Sequence, residues 1–300
     1  MKLGIGTAQF GVEYGISNTA GKTPAPEVAS ILELAAGSGI RILDTSPLYG
    51  DSEAVLGSLL STKHDFKIVT KTAKFARNVI TSADAVALED IFLRSLERLR
   101  QPSIYALLVH QLDDLLSGNG NLLIDKILSL KQRGLVKKVG LSLSRFTRDE
   151  VERVLAVYPI DLIQVPLNVV DQRLLASGYL RKLRSTGIEV HARSVFLQGL
   201  LLMPPETLPA WFDGVKPHLS HYHDEIARLG LAPAQAALNF ALGLDEVDTV
   251  ICGINDSAQL RELIGYASLA STARQSHDFG RFALTDENIL NPTNWKLHAR

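Results

Sequence analysis

One cysteine in 300 residues, Cys252, excludes any disulfide within the chain. No apolar run reaches the roughly 20 residues of a membrane-spanning helix, and Met1-Lys2-Leu3-Gly4 does not open the apolar stretch of a secretory signal. A charge excess of either sign is also missing, because 31 basic and 32 acidic residues are scattered to a net charge of −1. That balance leaves no electrostatic footprint for nucleic acid or an anionic membrane. A cytoplasmic protein that acts on a small molecule, as a monomer or weak oligomer, is the expectation.

What is present is an alternation. Short apolar segments at Leu3–Thr7, Ile40–Leu43, Phe66–Thr70, Ile104–Val109, Val136–Leu141, Asp161–Gln164, Ile188–Ala192 and Val247–Ile251 read as strands. Amphipathic helical patterns separate them, such as Leu88, Ile91, Phe92, Leu96 and Leu99, or Leu174 to Arg184 read as one helix. Thr147-x-x-Glu150 reads as a capping box that opens another. Eight strands alternating with helices, 46% hydrophobic residues and no dividing linker predict a single-domain (β/α)8 TIM barrel over residues 1–300. Residues 271–300 fall outside the eight units, and their Phe279, Phe282 and Trp295 are expected to pack across the barrel. Gly4-x-Gly6 is no dinucleotide fingerprint, since the third glycine is absent and a loop, not a helix, follows.

In such a barrel the carboxyl ends of all strands share one rim, where function concentrates. Asp44, Lys71 and His110 end three consecutive strands, and Tyr49 lies in the loop above the first. A phenol titrating near ~10 is a weak acid, and a neighbouring ammonium favours its phenolate. Lys71 can act so only if a carboxylate keeps it charged, which Asp44 is placed to do. A neutral His110 can offer a hydrogen bond to a substrate oxygen or to the phenol. These groups handle a proton and an oxyanion, as carbonyl reduction requires, but none can supply a hydride, so a nicotinamide cofactor is implied.

The run Asp44-x-x-x-x-Tyr49-Gly50-x-Ser52-Glu53, with Lys71 and His110 ending the next strands, resembles the aldo-keto reductases. The resemblance implies that Tyr49 is the proton donor of an Asp-Tyr-Lys-His tetrad reducing an aldehyde or ketone, and the rim residues Gln9, Tyr14, Gln111 and Gln198 suit a sugar-like substrate. It implies that Gly6, Thr7 and Asp44 lie near the nicotinamide, that Ser142 and Gln164 hold its carboxamide, and that Arg193 stands where many members stack an aromatic ring. Arg193 could instead pair with Asp44 or an acidic substrate. Ser194, Leu197, Gln198 and Gly199 match the loop at the pyrophosphate, and Gly253, Ile254, Asn255, Gln259 and Glu262 match the segment at the adenosine. Two departures stand out: Leu143 occupies the second amide-binding position, and Gly253, Ile254 and Gln259 replace the Lys, Ser and Arg common in NADPH-selective members. NADPH is expected from the family, with NADH as the alternative. The barrel-plugging amino-terminal hairpin of many members is missing.

Two rival functions remain open at this point: a non-catalytic barrel that binds the cofactor and reports redox state, and a Schiff-base lyase using Lys71. His218, His221 and His223 have metal-like spacing but lack a further ligand motif, so a solvated surface is expected, with no metal. Cys252 ends an apolar strand and is expected to be an inert buried thiol. Trp211 and Phe212 could either line a substrate pocket or anchor a loop.

Overall fold

The computed structural model describes residues 1–272 and 278–297. Eight parallel strands close into a barrel in chain order: β1 (Leu3–Gly6), β2 (Ile42–Asp44), β3 (Lys67–Lys71), β4 (Ile104–Val109), β5 (Val136–Ser142), β6 (Leu162–Pro166), β7 (Glu189–Arg193) and β8 (Thr249–Gly253). The last strand returns to the first through Ile5 against Cys252 and Gly6 against Gly253. Around them run α1 (Ala25–Gly37), α2 (Ser52–Leu59), α3 (Ser82–Leu99), α4 (Asp113–Leu116), α5 (Asn121–Gln132) and α6 (Arg148–Val157). The ring continues with α7 (Arg173–Ala176), α8 (Tyr179–Ser185), α9 (Lys216–Arg228), α10 (Pro233–Leu242) and α11 (Ser257–Thr272), and α12 (Glu287–Leu290) follows in the tail. No helix among the described residues is long and apolar enough to cross a membrane.

The strand period of two decides what reaches the rim. Ile42, Val69, Ala106, Leu108, Leu162 and Ile251 pack inside the barrel as one cluster. Two residues beyond five of them stand Asp44, Lys71, His110, Gln164 and Gly253, which inherit the inward direction at the carboxyl end. Apolar residues of the opposite parity, among them Leu43, Leu107, Ile163 and Val190, pack outward against the helices.

Two local expectations fail for identifiable reasons. The helix predicted over Leu174–Arg184 is broken into α7 and α8 by Gly178, whose φ of 69° turns the chain left-handed. Thr147 caps nothing, because Arg145 donates to both the Thr147 hydroxyl and the Glu150 carboxylate and so separates the two halves of the box. The capping box lies instead at α3, where Thr81 and Asp84 bond each other's backbone N–H.

At the amino-terminal end of the strands a charged cluster lines the barrel floor. Tyr105 donates to Glu189 at 2.6 Å, Lys138 pairs with the same carboxylate, and His191, fully buried, sits 2.7 Å from its other oxygen. Burial alone would raise the pKa of Glu189, but hydrogen bonds from His191, Lys138 and Tyr105 outweigh it and bring it down to about 2.

The described part of the tail packs along one flank and then over the mouth. Phe279 and Phe282 contact Tyr222 of α9 edge-on, Leu284 N donates to the Val170 carbonyl, and Trp295 meets Phe212 edge-on at 5.0 Å. His218 and His221 pack their rings on Phe282, so these two histidines hold the tail as well as meeting solvent. Among the described residues no group of three or more His, Cys, Asp or Glu could hold a metal. Trp211 donates to the Asn288 carbonyl, so the Trp211–Phe212 pair anchors this contact and does not line the cavity described next.

Candidate active site

Lys71 and Asp44 are buried at 2% and 4% exposure on adjacent strands, and the Lys71 ammonium reaches both carboxylate oxygens, at 2.8 and 2.9 Å. It also donates to the Thr45 carbonyl at 2.9 Å. Burial alone would favour loss of the proton. The carboxylate of Asp44, aided by Tyr49, more than offsets this and holds Lys71 above the ordinary lysine value. The ammonium lies 5.1 Å from the centre of the Tyr49 ring.

Tyr49 is placed by backbone, not by its own side chain. The turn that carries it presses on the loop after β1: a Cβ added to Gly11 would lie 1.8 Å from the Tyr49 carbonyl oxygen. Only glycine permits that approach. Below it, the buried Ser52 hydroxyl sits 2.8 Å from both the carbonyl and the hydroxyl oxygen of Thr7, tying the start of α2 to β1. Glu53, also buried, accepts from Thr70 at 2.7 Å and from Arg98 of α3 at 2.6 and 2.9 Å. The charged residue of the Ser52-Glu53 pair is therefore a structural tie behind the site.

His110 follows β4 and is fixed by Thr72: its backbone N–H donates to the Thr72 hydroxyl at 3.1 Å, and its Nδ1 lies 3.2 Å from the Thr72 carbonyl. Burial, then the positive charges of Lys71 and Lys74, push its pKa from 6.5 down to about 3. The ring is neutral at physiological pH. The folded state thus refuses a proton that the unfolded chain accepts below 6.5, so the stabilisation is complete above that pH and is lost as pH falls toward 3. Between pH 6.5 and 5 the wild type should lose roughly 1–2 kcal/mol more unfolding free energy than His110→Asn, the slope approaching 1.36 kcal/mol per pH unit only well below 6.5. Equal losses in urea titrations of the two proteins would refute this.

These groups lie at the base of a cavity of about 690 Å³. Gly6, Asp44, Tyr49, Lys71, His110, Ser142, Gln164, Arg193, Ser194, Gln198, Gly199, Gly253, Asn255, Gln259 and Glu262 all line it. Three predicted contacts do not. Thr7 is turned into the wall, where its hydroxyl donates to the Asp44 carbonyl at 3.0 Å. Leu197, at a left-handed φ of 47°, and Ile254 are apolar side chains buried in the core.

Three further predicted contacts line the cavity but are already engaged. Gln164 donates to Asp44 at 2.8 Å, with Ser142 3.4 Å from its carbonyl oxygen, so this pair buttresses the carboxylate. Arg193 makes no bond to Asp44; it donates to Ser194 Oγ and to the Leu143 carbonyl, and its Nε remains buried without a partner.

Sequence reasoning passed over other contributors to the lining. Lys74 lines the cavity from the loop after β3, and Asn291, Pro292 and Thr293 reach it from the tail. Tyr14 also lines it, with a hydroxyl pKa raised by burial and then by the neighbouring Tyr49. Lys74 lies three residues past Lys71 and could have been suspected on spacing; nothing local marks Asn291–Thr293.

The Aldo/keto reductase family model matches residues 2–279. The chain belongs to the aldo/keto reductase family. It is 26% identical over 269 residues to aldo-keto reductase str7 of Strobilurus tenacellus, covering 82% of this chain and 77% of that protein. Among solved structures it superposes on an aldo-keto reductase from Bacillus halodurans in its holo form with a TM-score of 0.71 at 20% identity, over 95% of this chain and 93% of that one. A glycerol dehydrogenase from Gluconobacter oxydans gives a TM-score of 0.66 at 18% identity, over 90% of each chain. At such identities the structures speak for the fold alone. Membership of the aldo/keto reductase family, on this (β/α)8 barrel, supports carbonyl oxidoreductase activity.

Proposed function

We propose that this aldo/keto reductase interconverts an aldehyde or ketone and its alcohol, with Tyr49 as proton donor and a nicotinamide cofactor in the cavity described above. The observation that carries the reading is the buried Lys71–Asp44 pair beneath the Tyr49 ring at the base of that cavity. The cofactor, when bound, supplies the hydride that reaches the carbonyl carbon. Tyr49 gives its phenolic proton to the carbonyl oxygen as that oxygen gains negative charge, and Lys71 stabilises the phenolate left behind. Asp44 keeps Lys71 charged, and Gln164 and Ser142 keep Asp44 in place. In the reverse direction the same phenolate takes the proton of the alcohol.

The lining fits a dinucleotide. Gly253 leaves a gap that a Cβ would fill, since it would lie 2.4 Å from the Gln9 side chain, and Gln9 Oε1 and Asn255 Oδ1 are buried without partners on that wall. The cations lining the cavity are Lys71, Lys74 and Arg193, all on the strands or loops around the tetrad. At the end assigned to the adenosine the described lining residues are Asn255, Gln259 and the carboxylate of Glu262, and no lysine or arginine is among them. A 2′-phosphate there would face a carboxylate without a cation, whereas a ribose hydroxyl could donate to it. We therefore favour NADH over the NADPH expected from the family.

The test is a carbonyl screen with both cofactors, followed at the nicotinamide absorbance, with fluorescence titration of each. Turnover with NADH bound at least about tenfold tighter is the expected result, equivalent to 1.4 kcal/mol. Tighter NADPH binding would overturn the cofactor reading. Cofactor binding without turnover across the screen would overturn the catalytic one and favour a redox-reporting barrel. A Schiff-base role suits Lys71 poorly, since a nucleophilic amine must be free of its proton and this one is held charged by three bonds.

A further inference from the structure

We propose that the substrate carries an anionic group, a carboxylate or a phosphate, in addition to its carbonyl, and that Lys74 receives that group. This rests on the carbonyl-reducing reading above and narrows its substrate class.

The charges that line the cavity do not balance. Lys71, Lys74 and Arg193 face two carboxylates among the described lining residues, Asp44 and Glu262. Asp44 is held by Lys71 at 2.8 Å, and Glu262 belongs to the segment assigned to the adenosine, where it accepts from Tyr266 at 2.6 Å. Arg193 ends β7, on the side where the cofactor's phosphates would lie. Lys74 remains. Its ammonium has neither an ion-pair nor a hydrogen-bond partner among the described residues, whereas Arg77 of the same loop pairs with Asp84 at 2.9 Å.

The loop that carries Lys74 is fixed from beneath. Asp114, fully buried, accepts from the backbone N–H groups of Phe75 at 3.1 Å and Ala76 at 2.9 Å, and from the Gln111 amide at 2.9 Å. Ala76 turns left-handed there, with φ at 50°. Further along, Ile80 donates to the Gly118 carbonyl at 2.7 Å. An exposed lysine therefore leaves a backbone anchored on a buried carboxylate, and its charge reaches the reacting end, where it adds to that of Lys71 on the His110 ring.

Strand order sets Lys74 apart from the cofactor's phosphates. In the closed barrel β3 and β4 stand across from β7 and β8, and on the reading above the pyrophosphate and adenosine follow β7 and β8. Lys74 faces the opposite sector, beside His110 and Gln111, which is left to the substrate. An unneutralised ammonium at the wall of a cavity concentrates anions and donates charge-assisted hydrogen bonds to carboxylate or phosphate oxygens. A neutral carbonyl compound forgoes both.

The experiment has two arms. In the first, kcat/KM is measured for meta- and para-carboxybenzaldehyde and for their methyl esters, with wild type, Lys74→Met and Lys74→Arg. Para-formylphenyl phosphate against para-methoxybenzaldehyde makes the same comparison for phosphate, and the larger preference names the anion. The wild-type preference for the charged member should fall by about tenfold in Lys74→Met, chiefly through KM, and return in Lys74→Arg, the scale expected of a hydrogen bond to a charged group. Comparing the same pair across proteins cancels the intrinsic reactivity of each aldehyde. Turnover with both preferences unchanged in Lys74→Met overturns the proposal and leaves the parent reading standing. In the second arm, saturation-transfer NMR measures the affinity of para-toluate and para-tolyl phosphate, which have no carbonyl to reduce, with para-toluamide as the neutral control. At least one anion should bind about tenfold more weakly to Lys74→Met than to wild type. Where no aldehyde is turned over, a result that counts against the parent reading, this arm decides, and equal affinities of both anions for the two proteins overturn the proposal.

Discussion

Tyr49→Phe should lower kcat/KM by roughly 10³-fold while leaving cofactor affinity within about twofold, since a positioned general acid contributes ~10²–10⁴. The substitution removes one oxygen atom and little packing. The ring is partly exposed, the turn that holds it is fixed through Gly11 and Ser52, and Asp44 and Lys71 are bonded to each other regardless of the phenol. The loss should therefore appear in the proton-transfer step alone. Stopped-flow reduction of a good substrate, with fluorescence titration of the cofactor on the same preparation, separates the two quantities. A variant within about fivefold of wild type would remove Tyr49 from the role of acid. Lys71→Met is a weaker test, because it leaves Asp44 buried and unpaired and so mixes lost catalysis with lost stability.

Arg98→Ala should cost about 2–3 kcal/mol of unfolding free energy, because it strands the buried Glu53 carboxylate, although the Arg98 side chain is itself 35% exposed and the full penalty for a buried pair does not apply. Glu53 is 1% exposed, and after the substitution only the Thr70 hydroxyl would address its carboxylate. Adding Glu53→Gln to Arg98→Ala should recover part of the loss by removing the stranded charge, although each change alone destabilises. Urea unfolding followed by circular dichroism checks this, and a cost below about 1 kcal/mol would mean that the carboxylate finds water. The tie joins α2, α3 and β3 directly behind the Tyr49 turn, so the weakened variant should also lose activity on warming before it unfolds globally.

The barrel was legible because strand parity and strand ends carry the same message in one dimension. Ile42-x-Asp44, Val69-x-Lys71, Leu108-x-His110 and Leu162-x-Gln164 each place an apolar inward residue two before a polar one. Such a pattern survives without any knowledge of neighbours. Direction at the scale of a single rotamer did not survive. Thr7 turns into the wall for a carbonyl contributed by β2, and Gln164 turns to Asp44, 120 residues away in sequence. Leu197 swings into the core because its backbone is left-handed, which no composition rule announces. Glu53 could be read as part of a motif but not as the partner of Arg98, and nothing in the sequence joins His110 to Thr72. Apart from Leu197, the missing information was in each case a contact between elements distant in sequence.

One feature of the tail bears on how such a protein diversifies. Asn291–Thr293 stand at the mouth, while the same segment is strapped to the flank through Glu287 on Arg173 and Trp295 on Phe212. Asp44 and Lys71 ride on strands that cannot shift without breaking the barrel, whereas the strap can be lengthened, shortened or rewritten with the staves left alone. On the function proposed above, part of the mouth is thus encoded in a separate stretch of chain from the ion pair beneath it, and a changed clientele need not disturb that pair.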